Sequence, residues 1–322
     1  MSFSKLTPEI IFDAVETAVG SPLTGLIYPL PSYINRVYEL EATDGTRLIA
    51  KFYRPGRWTP EAIEDEHEFV LDCLADEIPV IAPQILSNGS TLFQVDGLTF
   101  SVFPKRFGRQ FEVKSSEDWR RLGRLTARIH IAGCRKEAAH RIRLNPREST
   151  AEDIRQLIDG NHVAAPQQTG FQDICRKILD LVSELFDEIE YIRLHGDCHQ
   201  GNLLEHPDEG IRIIDFDDMM VGPPVHDLWL LLPDRMNHCR REVDLIIEGY
   251  RQFRDFDIRS LRLIEPLRAM RMIYFLAWCS RQRDDFKFRD TFPNWGNPGF
   301  WQKETADLTR QYHAITEHIT SF

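Results

Sequence analysis

Positive charge, long apolar runs and closely paired cysteines are all scarce in this sequence. Its 39 lysines and arginines are outnumbered by 50 aspartates and glutamates, and the net charge is −11. That balance argues against a protein that mainly binds nucleic-acid backbones. The longest apolar run near the carboxyl end, 272–279, is too short to span a bilayer, and the first 20 residues lack the apolar core of a secretory signal.

The cysteines stand at positions 73, 134, 175, 198, 239 and 279. No two of them form a CxxC pair, so the spacing supports neither a zinc knuckle nor a thioredoxin-like redox motif. We therefore expect free thiols and a cytoplasmic protein. The sequence also contains no GxGxxG and no GxxxxGK[ST], and the second absence excludes a Walker-type nucleotide site.

The first hundred residues have the pattern of a small sheet with helices. Residues 7–20 and 59–77 each begin with Thr-Pro and continue with helical spacing, which predicts two capped helices. Alternating residues on both sides of Asp44-Gly45, within 34–55, predict a hairpin. Two further strands, "TLFQVD" and "LTFSVFP", meet at Asp96-Gly97.

After Pro104 helical patterns dominate. They cover 115–133, 150–159, 171–188, 237–254, 259–281 and 302–320. Short strands are predicted around "YIRLH", "NLLE" and "IRIIDF". The sequence thus predicts an α+β protein with two lobes: residues 1–104 as an antiparallel sheet plus helix, and residues 105–322 as a mainly helical lobe.

The stretch "LHGDCHQGNLL" (194–204) concentrates chemically active side chains and allows three interpretations. His195 and His199 are four apart, as in zinc helices, but Gly196 disfavours a helix and no HExxH glutamate follows. Cys198 stands beside two histidines as a candidate nucleophile, although a base normally comes from elsewhere in the fold. The third interpretation is a phosphotransferase loop.

The phosphotransferase interpretation rests on three oxygen-bearing side chains. Asp197 and Asn202 are five apart, and an apolar strand then ends at Asp215. Phosphoryl transfer from ATP needs a carboxylate that accepts the proton of the attacking hydroxyl, and oxygen ligands that hold Mg²⁺ on the phosphates. These three residues supply both, so they predict an ATP- and Mg²⁺-dependent site.

The same residues carry a family resemblance. "HGDCHQGN" followed by "IIDFDD" resembles the HxDxxxxN loop and metal-binding aspartate of the protein kinase-like superfamily, in its aminoglycoside and choline phosphotransferase-like form. With "SYINRVYEL", "KFYRPGRW", "FPKRFGRQFE", "DFDDMMVGPPVHDLWLLL" and "IEPLRAMRMIYFLAW" the chain resembles the bacterial stress response kinase A family over nearly its whole length. That resemblance implies a bilobal kinase-like fold and a Ser/Thr protein kinase that protects cells against envelope or oxidative stress.

The resemblance also implies residue roles. Asp197 and Asp215 would be the catalytic residues, with Asp197 as the base. Asn202 and Asp215 would be the metal ligands. Lys51, at the end of "LIAKFY", resembles the lysine that grips the ATP phosphates.

Three further residues complete the expected nucleotide site. The helix after Lys51 offers Glu64, Glu66 and Glu68 as ion-pair partners of the lysine, and the register of the family favours Glu66. "PSYINRVYEL" occupies the place of the phosphate-covering loop, where Ser32 and Asn35 are the candidate nucleotide contacts.

The acceptor is left open by the sequence. A small-molecule kinase for choline, homoserine, a sugar or an aminoglycoside would use the same fold, and no APE segment follows "DFDD" to form a peptide platform. A pseudokinase-like nucleotide-binding module is a further alternative, which the presence of the complete catalytic set disfavours. We expect a monomer that binds ATP and a protein or small-molecule hydroxyl, with no nucleic-acid or membrane partner.

Overall fold

The computed structural model describes residues 3–208, 210–285 and 288–320. The strands are β1 (Leu23–Leu30), β2 (Arg36–Ala42), β3 (Arg47–Phe52), β4 (Phe93–Val95), β5 (Leu98–Pro104), β6 (Arg109–Gln110), β7 (Ile192–Leu194), β8 (Leu203–His206), β9 (Gly210–Ile213) and β10 (Met220–Gly222). The α-helices are α1 (Pro8–Val19), α2 (Pro60–Ala75), α3 (Ser116–Gly133), α4 (Ala151–Asp159), α5 (Ala165–Val182), α6 (Val225–Leu230), α7 (Arg240–Tyr250), α8 (Ile264–Gln282), α9 (Phe288–Thr291) and α10 (Pro298–Thr320).

Two compact units divide the chain. The first unit takes the described residues of 1–141, 195–219 and 244–254, and the second takes the remaining described residues. A division into lobes at residue 104 stays a prediction.

The first unit is built on a five-stranded antiparallel sheet in the order β1-β2-β3-β5-β4. Along β3 the residues alternate between half-buried and buried, so Leu48, Ala50 and Phe52 point to one face. Helix α1 packs its buried side, including Ile11 and Val15, in the same core. The alternation leaves Lys51 on the opposite face of the sheet.

A second, three-stranded sheet in the order β6-β8-β9 belongs to the same unit. Strands β8 and β9 form an antiparallel hairpin in which Leu203 is opposite Ile213. Because the two strands are antiparallel, the start of β8 is opposite the end of β9, and the residues just before β8 lie beside those just after β9. This hairpin therefore brings "HGDCHQGN" next to "DFDD".

Helix α3 begins with a capping box: Ser115 Oγ accepts from the Asp118 N–H, and the Asp118 carboxylate accepts from the Ser115 N–H. Its middle approaches α7 very closely. A Cβ on Gly123 would lie 2.0 Å from the Ile246 carbonyl oxygen. Only glycine allows the two backbones to pass at this distance.

The second unit is mainly helical. Its core combines residues of α4, α5, α8 and α10 around the fully buried Trp301, which makes an edge contact with Phe171 at a centroid distance of 5.3 Å. Strands β7 and β10 form a two-stranded antiparallel pair in this unit. In the described part of the chain, no helix is both long and apolar enough to cross a bilayer.

Several element boundaries differ from the sequence prediction. Strand β1 was not predicted, because it contains Gly25 and Pro29 and most of its residues are exposed, as is typical of an edge strand. Helix α5 begins at Ala165 rather than at 171, since its first turns are polar. Helix α10 begins at Pro298 rather than at 302.

Candidate functional site

The side chain of Lys51 extends from β3 toward a group of carboxylates. Its Nζ lies 3.3 Å from Asp215 Oδ1 and 3.0 Å from Asp217 Oδ1, and the lysine side chain is only 11% exposed. Burial alone would lower the pKa of Lys51, but the charges of Asp217 and Asp215 raise it well above its usual value. The lysine therefore stays protonated and can attract an anionic ligand.

The loop that carries Asp197 is braced by His195. The His195 Nδ1 accepts the Asp197 N–H at 3.2 Å, so the proton of the neutral ring is on Nε2, which donates to the Ile214 carbonyl at 2.9 Å. His195 is fully buried and packs on the Phe216 ring at 4.5 Å. The histidine thus ties the loop before β8 to the segment after β9.

A backbone hydrogen bond between the same two segments brings Asn202 and Asp215 together. The Ile214 N–H donates to the Asn202 carbonyl at 3.0 Å, which sets the residue before Asp215 against Asn202. The Asn202 Nδ2 donates to the Asp197 carbonyl at 2.9 Å. This hydrogen bond uses the amide nitrogen of Asn202 and does not use its amide oxygen, Oδ1.

Asp215 has a left-handed backbone, with φ of +64° and ψ of +68°. This conformation costs a residue with a side chain about 1–3 kcal/mol and persists only where neighbours enforce it. The two hydrogen bonds of Ile214 provide that enforcement. The result is a carboxylate that remains 55% exposed beside a buried lysine.

The structure also places a cationic fork on the acids that follow Asp215. Arg57 Nη1 pairs with Asp217 Oδ2, and its Nη2 donates to Asp218 Oδ1 at 2.6 Å. Burial would raise the pKa of Asp217, but Lys51 and Arg57 lower it to about 2. Asp217 is therefore an ionised, buried carboxylate between two cations.

A second arginine, Arg141, fixes the backbone of this segment. Its Nη2 donates to the Asp217 carbonyl at 2.6 Å, and its Nε donates to the Met219 carbonyl at 2.7 Å. Its Nη1 donates to the Ala62 carbonyl of α2 at 3.2 Å, and its guanidinium lies 4.0 Å from the Trp58 ring centroid. The arginine connects α2 to the "DFDD" segment.

Glu66 is buried in α2 near the lysine, but its ion pair is with Arg141 Nη2, at 3.8 Å. No ion pair between Glu66 and Lys51 occurs among the described residues. Burial raises the pKa of Glu66 to about 7, although Lys51 opposes the rise. Glu64 and Glu68 are exposed, so Glu66 is the buried acid of the three.

Ser32 and Asn35 lie in the connection between β1 and β2. The Asn35 Oδ1 accepts the Arg54 N–H at 3.1 Å, so its side chain braces the end of β3. Within the described residues, Ser32 forms no hydrogen bond with Lys51, Asp197 or Asp215. The structure brings together Lys51, Asp197, Asn202 and Asp215, and it leaves Ser32 and Asn35 on a neighbouring loop.

The zinc-site and cysteine-nucleophile interpretations of residues 194–204 receive no support from this geometry. Both ring nitrogens of His195 are used on the loop backbone, so neither is available to a zinc ion. Within residues 3–208, 210–285 and 288–320, no group of three or more His, Cys, Asp or Glu side chains could hold a metal ion. Cys198 is buried, with 2% exposure.

Comparison with known proteins agrees with the site. The sequence profile of the phosphotransferase enzyme family matches residues 27–264. Stress response kinase A of Escherichia coli (strain K12) is 37% identical over 320 residues, which are 98% of this chain and 95% of that protein. The chain belongs to the phosphotransferase enzyme family, in its stress response kinase A branch. The family resemblance of the sequence is thereby confirmed.

Two further comparisons concern activity and fold. The serine/threonine protein kinase RdoA of Salmonella typhimurium (strain LT2) is 36% identical over 98% of this chain and 95% of its own length. Amicoumacin kinase hAmiN, solved with AMP-PNP, Ca²⁺ and Ami, matches with a TM-score of 0.74 at 18% identity, covering 96% of this chain and 93% of that one. The α+β, kinase-like fold predicted from the sequence is confirmed.

Arg57 and Arg141 are site residues of this kinase that the sequence did not reveal. Both lie in segments without regular structure, where an arginine usually indicates an exposed surface. Arg57 is 160 residues from Asp217 in the chain, and Arg141 is 75 residues from Glu66. The only hint was "KFYRPGRW", which contributed to the resemblance without a role for Arg57.

Proposed function

We propose that this kinase transfers the γ-phosphate of Mg²⁺-bound ATP to serine or threonine hydroxyls of a protein, and that it does so in a stress response. The chemistry is supported chiefly by the grouping of Lys51 and Asp215, at 3.3 Å, with the braced loop of Asp197 and Asn202. The acceptor is supported by the names of relatives at 36–37% identity.

Asp197 is the proposed base. The His195 ring holds its N–H, and the Asn202 amide holds its carbonyl, so the backbone of the residue is fixed from both sides. Its side chain remains 22% exposed and can reach a bound hydroxyl. In this position the carboxylate orients the hydroxyl and accepts its proton as the oxygen attacks phosphorus.

Asn202 and Asp215 would hold the magnesium ion. Mg²⁺ prefers oxygen ligands and takes one or two from the protein, with phosphate and water oxygens completing its shell. The exposed carboxylate of Asp215 and the Oδ1 end of Asn202 match that donor set. Once bound, the ion supplies neutralisation of charge on the phosphate oxygens.

Lys51 would contribute a fixed positive charge to the phosphates of ATP. Ser32 and Asn35 would line the nucleotide from the loop between β1 and β2, with Asn35 acting through its brace to Arg54. Glu66 is the proposed acidic neighbour of Lys51 from α2. We further propose a cytoplasmic monomer, with a nucleotide lobe of residues 1–104 and an acceptor lobe of residues 105–322.

A small-molecule hydroxyl is the second candidate acceptor. The observation in its favour is the TM-score of 0.74 with amicoumacin kinase hAmiN, whose structure holds AMP-PNP and Ami. The sequence also lacks the APE segment that supports peptide binding in protein kinases.

Transfer of labelled γ-phosphate tests the proposal. The wild type, Asp197→Asn and Asp215→Ala would be assayed with Mg²⁺, with a basic substrate protein and with a panel of amino-alcohols and aminoglycosides. Loss of the base should lower kcat by about 100- to 10,000-fold. Asp208→Asn, at the exposed turn between β8 and β9, is the matched control and should retain activity.

The acceptor is decided by where the label appears. Label on serine or threonine of the protein, lost in Asp197→Asn, supports the protein kinase. Label on a small molecule alone would move the enzyme to the second candidate function. A wild type no more active than Asp215→Ala with every acceptor contradicts phosphotransfer.

A further inference from the structure

Lys51 needs a partner that remains in place when ATP and magnesium bind. Among the described residues Lys51 forms ion pairs with Asp215 and Asp217. Asp215 is the proposed metal ligand, so its charge is shared once the ion is bound. Asp217 lies closer, at 3.0 Å, and its side chain is 6% exposed against 55% for Asp215. A buried ion pair is screened less by solvent and salt than an exposed one.

Asp217 is itself held on both sides. Lys51 lies against its Oδ1, and Arg57 Nη1 pairs with its Oδ2. The guanidinium of Arg57 extends to Asp218 through its other nitrogen, a planar two-point arrangement that lysine cannot reproduce. Each oxygen of Asp217 thus lies within ion-pair distance of a cation of the protein.

The backbone that carries Asp217 is equally constrained. Arg141 binds the carbonyls of Asp217 and Met219 at 2.6 and 2.7 Å. The Phe216 ring packs between His195, at 4.5 Å, and Phe69 of α2, at 5.7 Å. A side chain on so fixed a segment can set the position of a flexible lysine.

We infer that Asp217, clamped by Arg57, is the positioning residue that holds Lys51 in place for the ATP phosphates. This inference rests on the proposed function. Glu66 is the alternative holder, but its ion pair goes to Arg141 at 3.8 Å. The partner of the lysine thus comes from the segment after the metal-binding aspartate instead of from α2.

A double-mutant cycle on kcat/KM for MgATP tests the inference. A positioning residue acts through its lysine, so its loss matters only while the lysine is present. Asp217→Asn should lower kcat/KM by about 100-fold in the wild-type background, the size of effect expected from a misplaced catalytic group. In a Lys51→Met background the same change should cost less than about 3-fold.

Glu66→Gln is the matched control, because it removes a buried carboxyl near the same lysine. Its effect should depend on Lys51 much less than that of Asp217→Asn, because the ion pair of Glu66 is with Arg141. Arg57→Lys keeps the charge but not the two-point clamp, and it should show the same dependence on Lys51 as Asp217→Asn. It carries the test alone if circular dichroism shows that Asp217→Asn does not fold.

Each outcome decides the matter. The inference would be overturned if Asp217→Asn lowered kcat/KM equally with Lys51 and with Met at position 51, because that result indicates a structural role only. The same holds for Arg57→Lys if that variant replaces Asp217→Asn in the test. Dependence on Lys51 shown by Glu66→Gln instead would assign the lysine to Glu66. An active wild type with additive losses leaves the proposed function standing, whereas a wild type without transfer to any acceptor overturns both.

Discussion

Charged side chains in the first unit show how neighbours decide ionisation at the level of single residues. Asp217 and Glu66 are both buried, yet the pKa of Asp217 is lowered to about 2 and that of Glu66 is raised to about 7. Asp217 has Lys51 at 3.0 Å and Arg57 in direct contact, whereas the ion pair of Glu66 is 3.8 Å long. Short contacts with cations offset the cost of burial for the first acid and not for the second.

A similar buried acid in the second unit yields a prediction about stability. Asp153 of α4 pairs with Arg281, but burial raises its pKa to about 6. A carboxyl whose pKa is higher in the folded state than in the unfolded state stabilises the fold below about pH 4, and this contribution is lost as the pH rises through 6. The free energy of unfolding of the wild type should therefore fall relative to Asp153→Asn between pH 4 and 7.5, by about 2–3 kcal/mol.

Urea unfolding at the two pH values measures this difference. Glu152→Gln, one position earlier and exposed, is the control and should show no comparable pH dependence. A difference between the wild type and Asp153→Asn that stays constant from pH 4 to 7.5 would contradict the prediction.

At the level of elements, helices and turns with local sequence signals were predicted, whereas contacts between distant segments were not. Thr-Pro helix starts and Asp-Gly turns can be recognised from a few adjacent residues, and the helices and hairpins that they mark are present. The spacing of Asp197, Asn202 and Asp215 was also readable, because they flank a single hairpin. The clamps of Arg57 and Arg141 join distant segments, so no local pattern announces them.

The close approach of α3 and α7 gives a prediction about packing. A methyl group on Gly123 would collide with the Ile246 carbonyl at 2.0 Å, and a backbone atom cannot move aside cheaply. Gly123→Ala should lower the free energy of unfolding by about 1–3 kcal/mol, despite the higher helix propensity of alanine.

Gly170 in α5 provides the matched control. Among the residues that the structure describes, a Cβ there would meet only the Thr305 side chain, at 3.9 Å, which is ordinary contact. Gly170→Ala should therefore stabilise the protein by about 0.5–1 kcal/mol. Thermal unfolding of both variants measures the two effects, and equal shifts of the same sign would refute the explanation from close packing.

For the whole molecule, net charge and ligand binding act together. The chain carries a net charge of −11, so its overall field does not attract an anionic ligand such as ATP. Lys51 and Arg57 are already matched by carboxylates, which means that the phosphates of ATP need the magnesium ion to compensate the exposed Asp215. Nucleotide binding should accordingly depend strongly on the metal.

Thermal stability measures this linkage. A ligand at 100 times its Kd that binds only the folded state stabilises it by about 2.7 kcal/mol, which for a chain of this length raises Tm by roughly 4 °C. MgATP should produce that shift in the wild type, and ATP with EDTA should produce little. Asn202→Ala should reduce the MgATP shift, because it removes one proposed metal ligand and leaves Lys51 in place. Equal shifts with Mg²⁺ and with EDTA would contradict a metal-bridged nucleotide at Asp215.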